Sequence, residues 1–145
     1  SPVALGQFAD DLAQLFAQRW PAAALTLEVD EAGTWGMDRD QMHQAVWALL
    51  NNAAEATSIT EEPRVILSIK RAEKRLAITI LDNGEGVKPE SAALIFRPFH
   101  TTKPKGSGIG LSLARQIAHG HGGSLELAGA NPTAFQISLP PGHDG

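Results

Sequence analysis

The chain has 145 residues, 43% of them hydrophobic and 19% charged, and a formal net charge of −4, so it is long enough for one domain with its own core and carries no overall basic field that would draw nucleic acid. It contains no cysteine, which excludes disulfides, thiolate metal sites and a cysteine nucleophile. No apolar run approaches the roughly 20 residues that span a bilayer, and no signal peptide opens the chain, so a soluble piece without membrane contact is expected.

In chain order, Val3 to Trp20 places Leu5, Phe8, Leu12, Leu15 and Phe16 at helical spacing, and Pro21 stops the run. Leu25–Val29 alternates like a strand. Asp38 suits the N-cap of a long helix from about Arg39 to Thr57, with Met42, Val46, Leu49, Leu50 and Ala53 as its buried stripe. Arg64–Lys70 and Arg75–Asp82 are β-branched runs joined by a short polar turn, which predicts a hairpin. From Asn83 to Gly106 the pattern breaks into Gly, Pro and Lys around an apolar island at Ala92–Phe96, and a connection this long tends to be functional. A helix over Ser107–His119 follows, then a second hairpin of Ser124–Ala128 and Ala134–Pro140 around Ala130–Thr133. Paired strands with helices between the pairs predict an α+β fold: a two-layer sandwich with a mixed, mostly antiparallel sheet and helices on one face.

Four stretches carry candidate chemistry, and each admits two readings. "GSGIG" puts Gly106, Gly108 and Gly110 at a helix entrance, either as a flexible turn or as an anion site of bare N–H groups at a positive helix end. It lacks the spacing of a P-loop or of a dinucleotide fingerprint. "LDNGEG" ends a strand on Asp82, followed by Gly84 and Gly86. It reads as a tight turn with a solvated carboxylate, or as a pocket floor where Asp82 accepts from an exocyclic amine and the glycines pass a flat ring.

"ALLNNAAEA" sets Asn51 and Asn52 mid-helix, where asparagine is a poor former. Ala45, Ala48, Asn52 and Glu55 share one face beside the apolar stripe. One amide could be merely satisfied and the other solvated, or one oxygen could complete the shell of a phosphate-bound Mg²⁺. "FRPFHTTKPKG" offers two phenylalanines, the hydroxyls of Thr101 and Thr102, and the charges of Lys103 and Lys105, as a solvated basic loop or a phosphate loop.

Taken together and in this order, the four stretches resemble the catalytic ATP-binding domain of bacterial sensor histidine kinases, within the superfamily that includes gyrase, Hsp90 and MutL. "DRDQMHQAVWALLNNAAEA" looks like the N-box, "DNGEG" like the G1 box, "FRPFHTTK" like the F-box, "GSGIGL" like the G2 box, and "HGGSLEL" like the strand entry that follows. The likeness covers about residues 3–140 and is nearest in wording to nitrogen-regulation kinases. It implies a Bergerat-type fold, with ATP and Mg²⁺ as cofactors. Asn52 would bind Mg²⁺, Asp82 the adenine 6-amino group, and Gly84 and Gly86 the ring. Phe96 and Phe99 would form the F-box, and Thr101, Thr102 and Lys103 would lie near the phosphates. Gly106, Gly108, Ile109, Gly110 and Leu111 would wrap the triphosphate. Residues 87–106 would be the ATP lid and 1–145 a single domain.

Two departures shape the expectation. Ala48 stands where kinases commonly carry a polar residue and where hydrolysing relatives carry a water-activating glutamate, so autonomous hydrolysis is not expected. The phosphoacceptor histidine is missing: His43, His100, His119 and His121 lie in the wrong context, and His143-Asp144 falls in a terminal tail. The resemblance therefore implies an excised cytoplasmic domain whose parent is soluble or membrane-anchored. Its partners would be a separate dimerisation and phosphoacceptor domain and, through the full-length protein, a response regulator. His121 is expected to cap or pack at the end of the last helix. An anti-sigma-like switch or serine kinase of the same superfamily is the alternative function.

Overall fold

The structure, a computed structural model, describes residues 2–30, 33–92, 94–96 and 110–141. The elements in order are β1 (Pro2–Ala4), α1 (Leu5–Arg19), β2 (Ala24–Val29), β3 (Thr34–Gly36), α2 (Arg39–Ala56), β4 (Arg64–Ala72), β5 (Arg75–Asp82), α3 (Pro89–Ala92), α4 (Gly110–Gly120), β6 (Ser124–Ala130) and β7 (Thr133–Leu139). Five strands form one sheet in the order β2-β4-β5-β7-β6. All its pairings are antiparallel except β2 with β4, where α2 supplies the long crossover that a parallel pair needs.

Strand alternation sorts the two faces. On β4, Val65, Leu67 and Ile69 are buried; on β5, Leu76, Ile78 and Ile80; on β7, Phe135, Ile137 and Leu139. The register lays Ile69, Ile78, Ile137 and Leu125 in one row across the sheet. Against this face pack Phe8, Leu12 and Phe16 of α1, Met42, Val46, Leu49 and Leu50 of α2, and Ala114 and Ala118 of α4. Each large side chain removed from water in this layer contributes about 1.5–3 kcal/mol before entropy is charged against it. The predicted two-layer α+β sandwich with helices on one face is the observed architecture.

Local signals acted as expected at the ends of α1 and α2. The Asp38 carboxylate accepts from the Gln41 N–H at 2.9 Å and starts α2. At its far end the buried Thr57 hydroxyl donates to the Ala53 and Ala54 carbonyls. Pro21 follows directly on Trp20, where α1 stops.

One difference concerns Val3, read above as the start of a helix. Pro2–Ala4 instead pair antiparallel with Thr34–Gly36, and α1 begins at Leu5. Strands of three residues show no period, so neither partner announces itself. The second hairpin turns at Asn131-Pro132, inside the predicted turn. Within the connection after Asn83, α3 forms one turn and Ile95 is buried. Among the described residues no helix is long and apolar enough to cross a membrane.

Candidate nucleotide site

The site begins at the end of β5. Period two places Leu76, Ile78, Ile80 and then Asp82 on the helix-covered face, so the carboxylate follows three core residues inward and is 3% exposed. The reading of Asp82 as a solvated cap is overturned by that alternation. Its Oδ1 accepts from the Gly84 N–H at 2.9 Å, which orients the carboxylate beside the turn. Asn83 stitches the same turn to the start of β4: its Oδ1 accepts from the Arg64 N–H, and its Nδ2 donates to the Glu62 carbonyl.

The two glycines after Asp82 have separate reasons. A Cβ on Gly84 would lie 2.5 Å from the Ala56 carbonyl oxygen and 3.0 Å from Asp82 Oδ1, so the turn passes against the last carbonyl of α2 with no room for a side chain. Gly86 has φ +87°, a left-handed conformation that penalises side chains, and a Cβ there would also meet the Ala130 carbonyl. Val87 N–H donates to that carbonyl at 2.7 Å. The turn is thus held between the end of α2 and the β6–β7 turn.

Helix α2 links this end of the site to the other. Ala48, Asn52 and Ala56 recur every four residues and share one stripe. Gly84 abuts Ala56, and Gly110 abuts Ala48, where a Cβ would stand 3.6 Å from the alanine methyl. Asn52 sits between them, half-buried. At 1.5 Å per residue, the eight residues from Ala48 to Ala56 span about 12 Å, a stretch suited to an extended nucleotide. Its neighbour Asn51 has a different occupation, because its Oδ1 accepts from the Trp20 indole N–H at 2.7 Å and ties α2 to the end of α1. The two asparagines are therefore sorted by packing.

Gly110 opens α4, so the backbone N–H groups of its first turn, which have no partner within the helix, stand at the Ala48 end of the stripe. Leu111 is half-buried against the core. Phe96 stacks edge-on against Phe135 with ring centroids 5.9 Å apart, and the Arg115 guanidinium of α4 lies 4.6 Å above the Phe96 ring. Arg115 was not singled out in the sequence, since its position within an amphipathic helix looks like any surface cation. Phe99, Thr101, Thr102, Lys103, Gly106, Gly108 and Ile109 lie outside the described residues, as do His100 and Lys105. Of the described members, Gly84 and Gly110 abut the α2 stripe that carries Asn52, Asp82 and Gly86 flank Gly84 in its turn, and Leu111 follows Gly110 in α4. Among the described residues no group of three His, Cys, Asp or Glu could cage a metal.

His121 lies just past α4. Its Nδ1 is 2.9 Å from the Ile117 carbonyl, and its Nε2 accepts from the Asp38 N–H at 3.1 Å. The expectation that it caps this helix end holds.

Comparison with known proteins addresses the family and the fold. The model of the family described as histidine kinase-, DNA gyrase B-, and HSP90-like ATPase matches residues 37–143. The chain is 33% identical over 125 residues to the C4-dicarboxylate transport sensor protein DctB of Rhizobium meliloti (strain 1021), covering 86% of this chain and 20% of that protein. It is 34% identical over 118 residues to the sensory histidine kinase/phosphatase NtrB of the same organism, covering 71% of this chain and 31% of that one. The chain thus spans under a third of these relatives. Among solved structures, the catalytic domain of histidine kinase ThkA superposes with a TM-score of 0.86 at 26% identity, covering 98% of this chain and 95% of that one. With an ATPase model matched over residues 37–143 and a fold shared with a histidine kinase catalytic domain, the chain belongs to the family of histidine kinase-, DNA gyrase B- and HSP90-like ATPases, and the relatives it resembles are sensor histidine kinases.

Proposed function

We propose that this chain binds ATP and transfers its γ-phosphoryl group to a histidine on a separate dimerisation domain, whose full-length protein then serves a response regulator. The observation that carries this is the stripe of α2, along which a buried carboxylate, a half-buried amide and the opening turn of α4 follow one another at Ala56, Asn52 and Ala48. In this reading Asp82 accepts from the adenine amino group, and Gly84 and Gly86 let the backbone pass the ring. The α4 N–H groups at Gly110 and Leu111 receive phosphate oxygens, where the positive helix end favours negative charge. Phe99, Thr101, Thr102, Lys103, Gly106, Gly108 and Ile109 are assigned to the phosphate end and the 87–106 lid by resemblance.

The Asn52 amide oxygen would hold Mg²⁺, which when bound would offset the charge of the phosphates. Among the described residues the site offers one amide and no carboxylate cage, which fits a cation such as Mg²⁺ that is bound with few protein ligands. In the transfer, an imidazole nitrogen of the acceptor forms the N–P bond while the bond from the γ-phosphorus to the bridging oxygen breaks. ADP leaves, and the imidazole proton passes to solvent. The chain's contribution is alignment and charge stabilisation, with Lys103 and backbone donors holding the γ-phosphate in line. Ala48 offers no base for water, in keeping with transfer to a protein acceptor.

A fluorescent-ATP titration tests the reading. Asp82→Asn should weaken binding by about ten- to a hundredfold, the worth of hydrogen bonds to a charged group, with the circular dichroism spectrum unchanged. Wild-type affinity in that variant would refute the adenine assignment. Mixing the chain with its cognate dimerisation domain and ATP should give an acid-labile phosphohistidine; an acid-stable phosphoserine on the partner would refute histidine as acceptor.

A further inference from the structure

We infer that His121 is a positioning residue of the nucleotide site: its imidazole sets how far α4 lies along α2, and so where the α4 N-terminus stands relative to Asn52. The inference rests on the ATP-binding reading above.

The hydrogen bonds determine the ring's state. The Asp38 backbone N–H can only donate, so Nε2 must carry the lone pair. The Ile117 carbonyl can only accept, so Nδ1 must carry the proton. The ring is therefore neutral in the Nδ1–H form, and each nitrogen has one partner. One partner is a carbonyl in the last turn of α4. The other is the N–H of the residue that caps the start of α2. The ring thus serves a negative helix end with its proton and a positive helix end with its lone pair.

Two contacts fix the relation between these helices. At one end Gly110 meets Ala48; at the other His121 meets Asp38. Eleven steps along α4 thus match ten along α2, and the helices run antiparallel. The buried residues of α4 between these ends are Ser112, Ala114 and Ala118, which are small. The larger Leu111 and Ile117 are only partly buried against the core, so the directional bonds of His121 add to the register that this packing sets. The chain after His121 leaves little slack, since Gly123 N–H returns to the Ala118 carbonyl at 2.9 Å before β6 begins. The helix cannot shift by one residue, about 1.5 Å, without breaking the Asp38 link. A displacement of that order at a reacting site can cost about a hundredfold.

Two near-isosteres separate the bonds. In His121→Gln the amide oxygen reaches the place of Nε2 and still accepts from Asp38. In His121→Asn the amide reaches only the place of Nδ1, keeping Ile117 and losing Asp38. Both variants of the 145-residue chain should fold by circular dichroism. We expect His121→Asn to weaken fluorescent-ATP binding about three- to tenfold and to shift the backbone amide resonances of Gly110 and Leu111, with His121→Gln close to wild type in both. In the wild type, ¹⁵N shifts of the ring should show a protonated Nδ1 and a bare Nε2.

A residue with a merely stabilising role would lower the melting temperature in both variants and leave affinity and the Gly110 resonance unmoved; that result overturns the inference. Equal loss in both variants, or a ring protonated on Nε2, also overturns it. Asp82→Asn run in parallel keeps the two ideas apart. If it binds normally the pocket assignment has failed, whereas if it loses binding while His121→Asn does not, only the role of His121 has.

Discussion

At the scale of single residues, the adjacent asparagines of α2 show how packing divides labour between identical side chains. Asn51 receives the Trp20 indole N–H, and Asn52 shares a stripe with the alanines that touch Gly84 and Gly110. Asn51→Ala should therefore cost about 1–3 kcal/mol in a urea melt, because a part-buried donor loses its acceptor, and should leave nucleotide affinity unchanged. Asn52→Ala should instead remove the Mg²⁺ dependence of ATP binding. Exchanged phenotypes would contradict the assignment. Gly84→Ala forces a methyl against the Ala56 carbonyl and should destabilise by about 1–3 kcal/mol while weakening ATP binding, measured by the same melt and titration. The inward direction of Asp82 could be counted from the sequence, since it continues Leu76, Ile78 and Ile80 by twos. The sorting of Asn51 from Asn52 could not, because it depends on where a tryptophan 31 residues earlier comes to lie.

At the scale of elements, α1 and α2 are joined by a surface cluster as well as by the core. The Asp11 carboxylate accepts from Gln7 at 2.8 Å and from Arg39 at 2.6 Å, and these hydrogen bonds hold it below its usual range, the Gln7 bond first and Arg39 second. A carboxyl depressed in the folded state adds stability above its unfolded value of 3.8, and that stability is lost as the pH falls through the lower folded value. Gln7→Ala and Arg39→Ala should each move the Asp11 carboxyl ¹³C titration upward; an unchanged midpoint in both would contradict the cluster. Helices and long strands were legible here because their periods are local. The three-residue strands β1 and β3 were not, and neither was the parallel pairing of β2 with β4, since such partners meet only after the chain between them has folded. The Arg115–Phe96–Phe135 stack escaped for the same reason: it joins α4 and β7 to the connection after α3.

At the scale of the whole molecule, the sheet serves as a floor and α2 as the ruler laid on it. One end of the ruler meets the turn after β5, and the middle meets α4, so groups 26 residues or more apart in the chain share one side of a helix. The motifs were readable singly from glycine spacing and strand alternation, but their convergence is a property of the folded layers. The measurement that tests this most directly is an NMR titration of the chain with ATP and Mg²⁺. The account predicts that the backbone amides of Gly84, Gly86 and Gly110 and the side-chain amide of Asn52 shift together and saturate at one dissociation constant. If Gly84 and Gly110 respond with different constants, or if one end stays silent while the other saturates, the single shared site is contradicted.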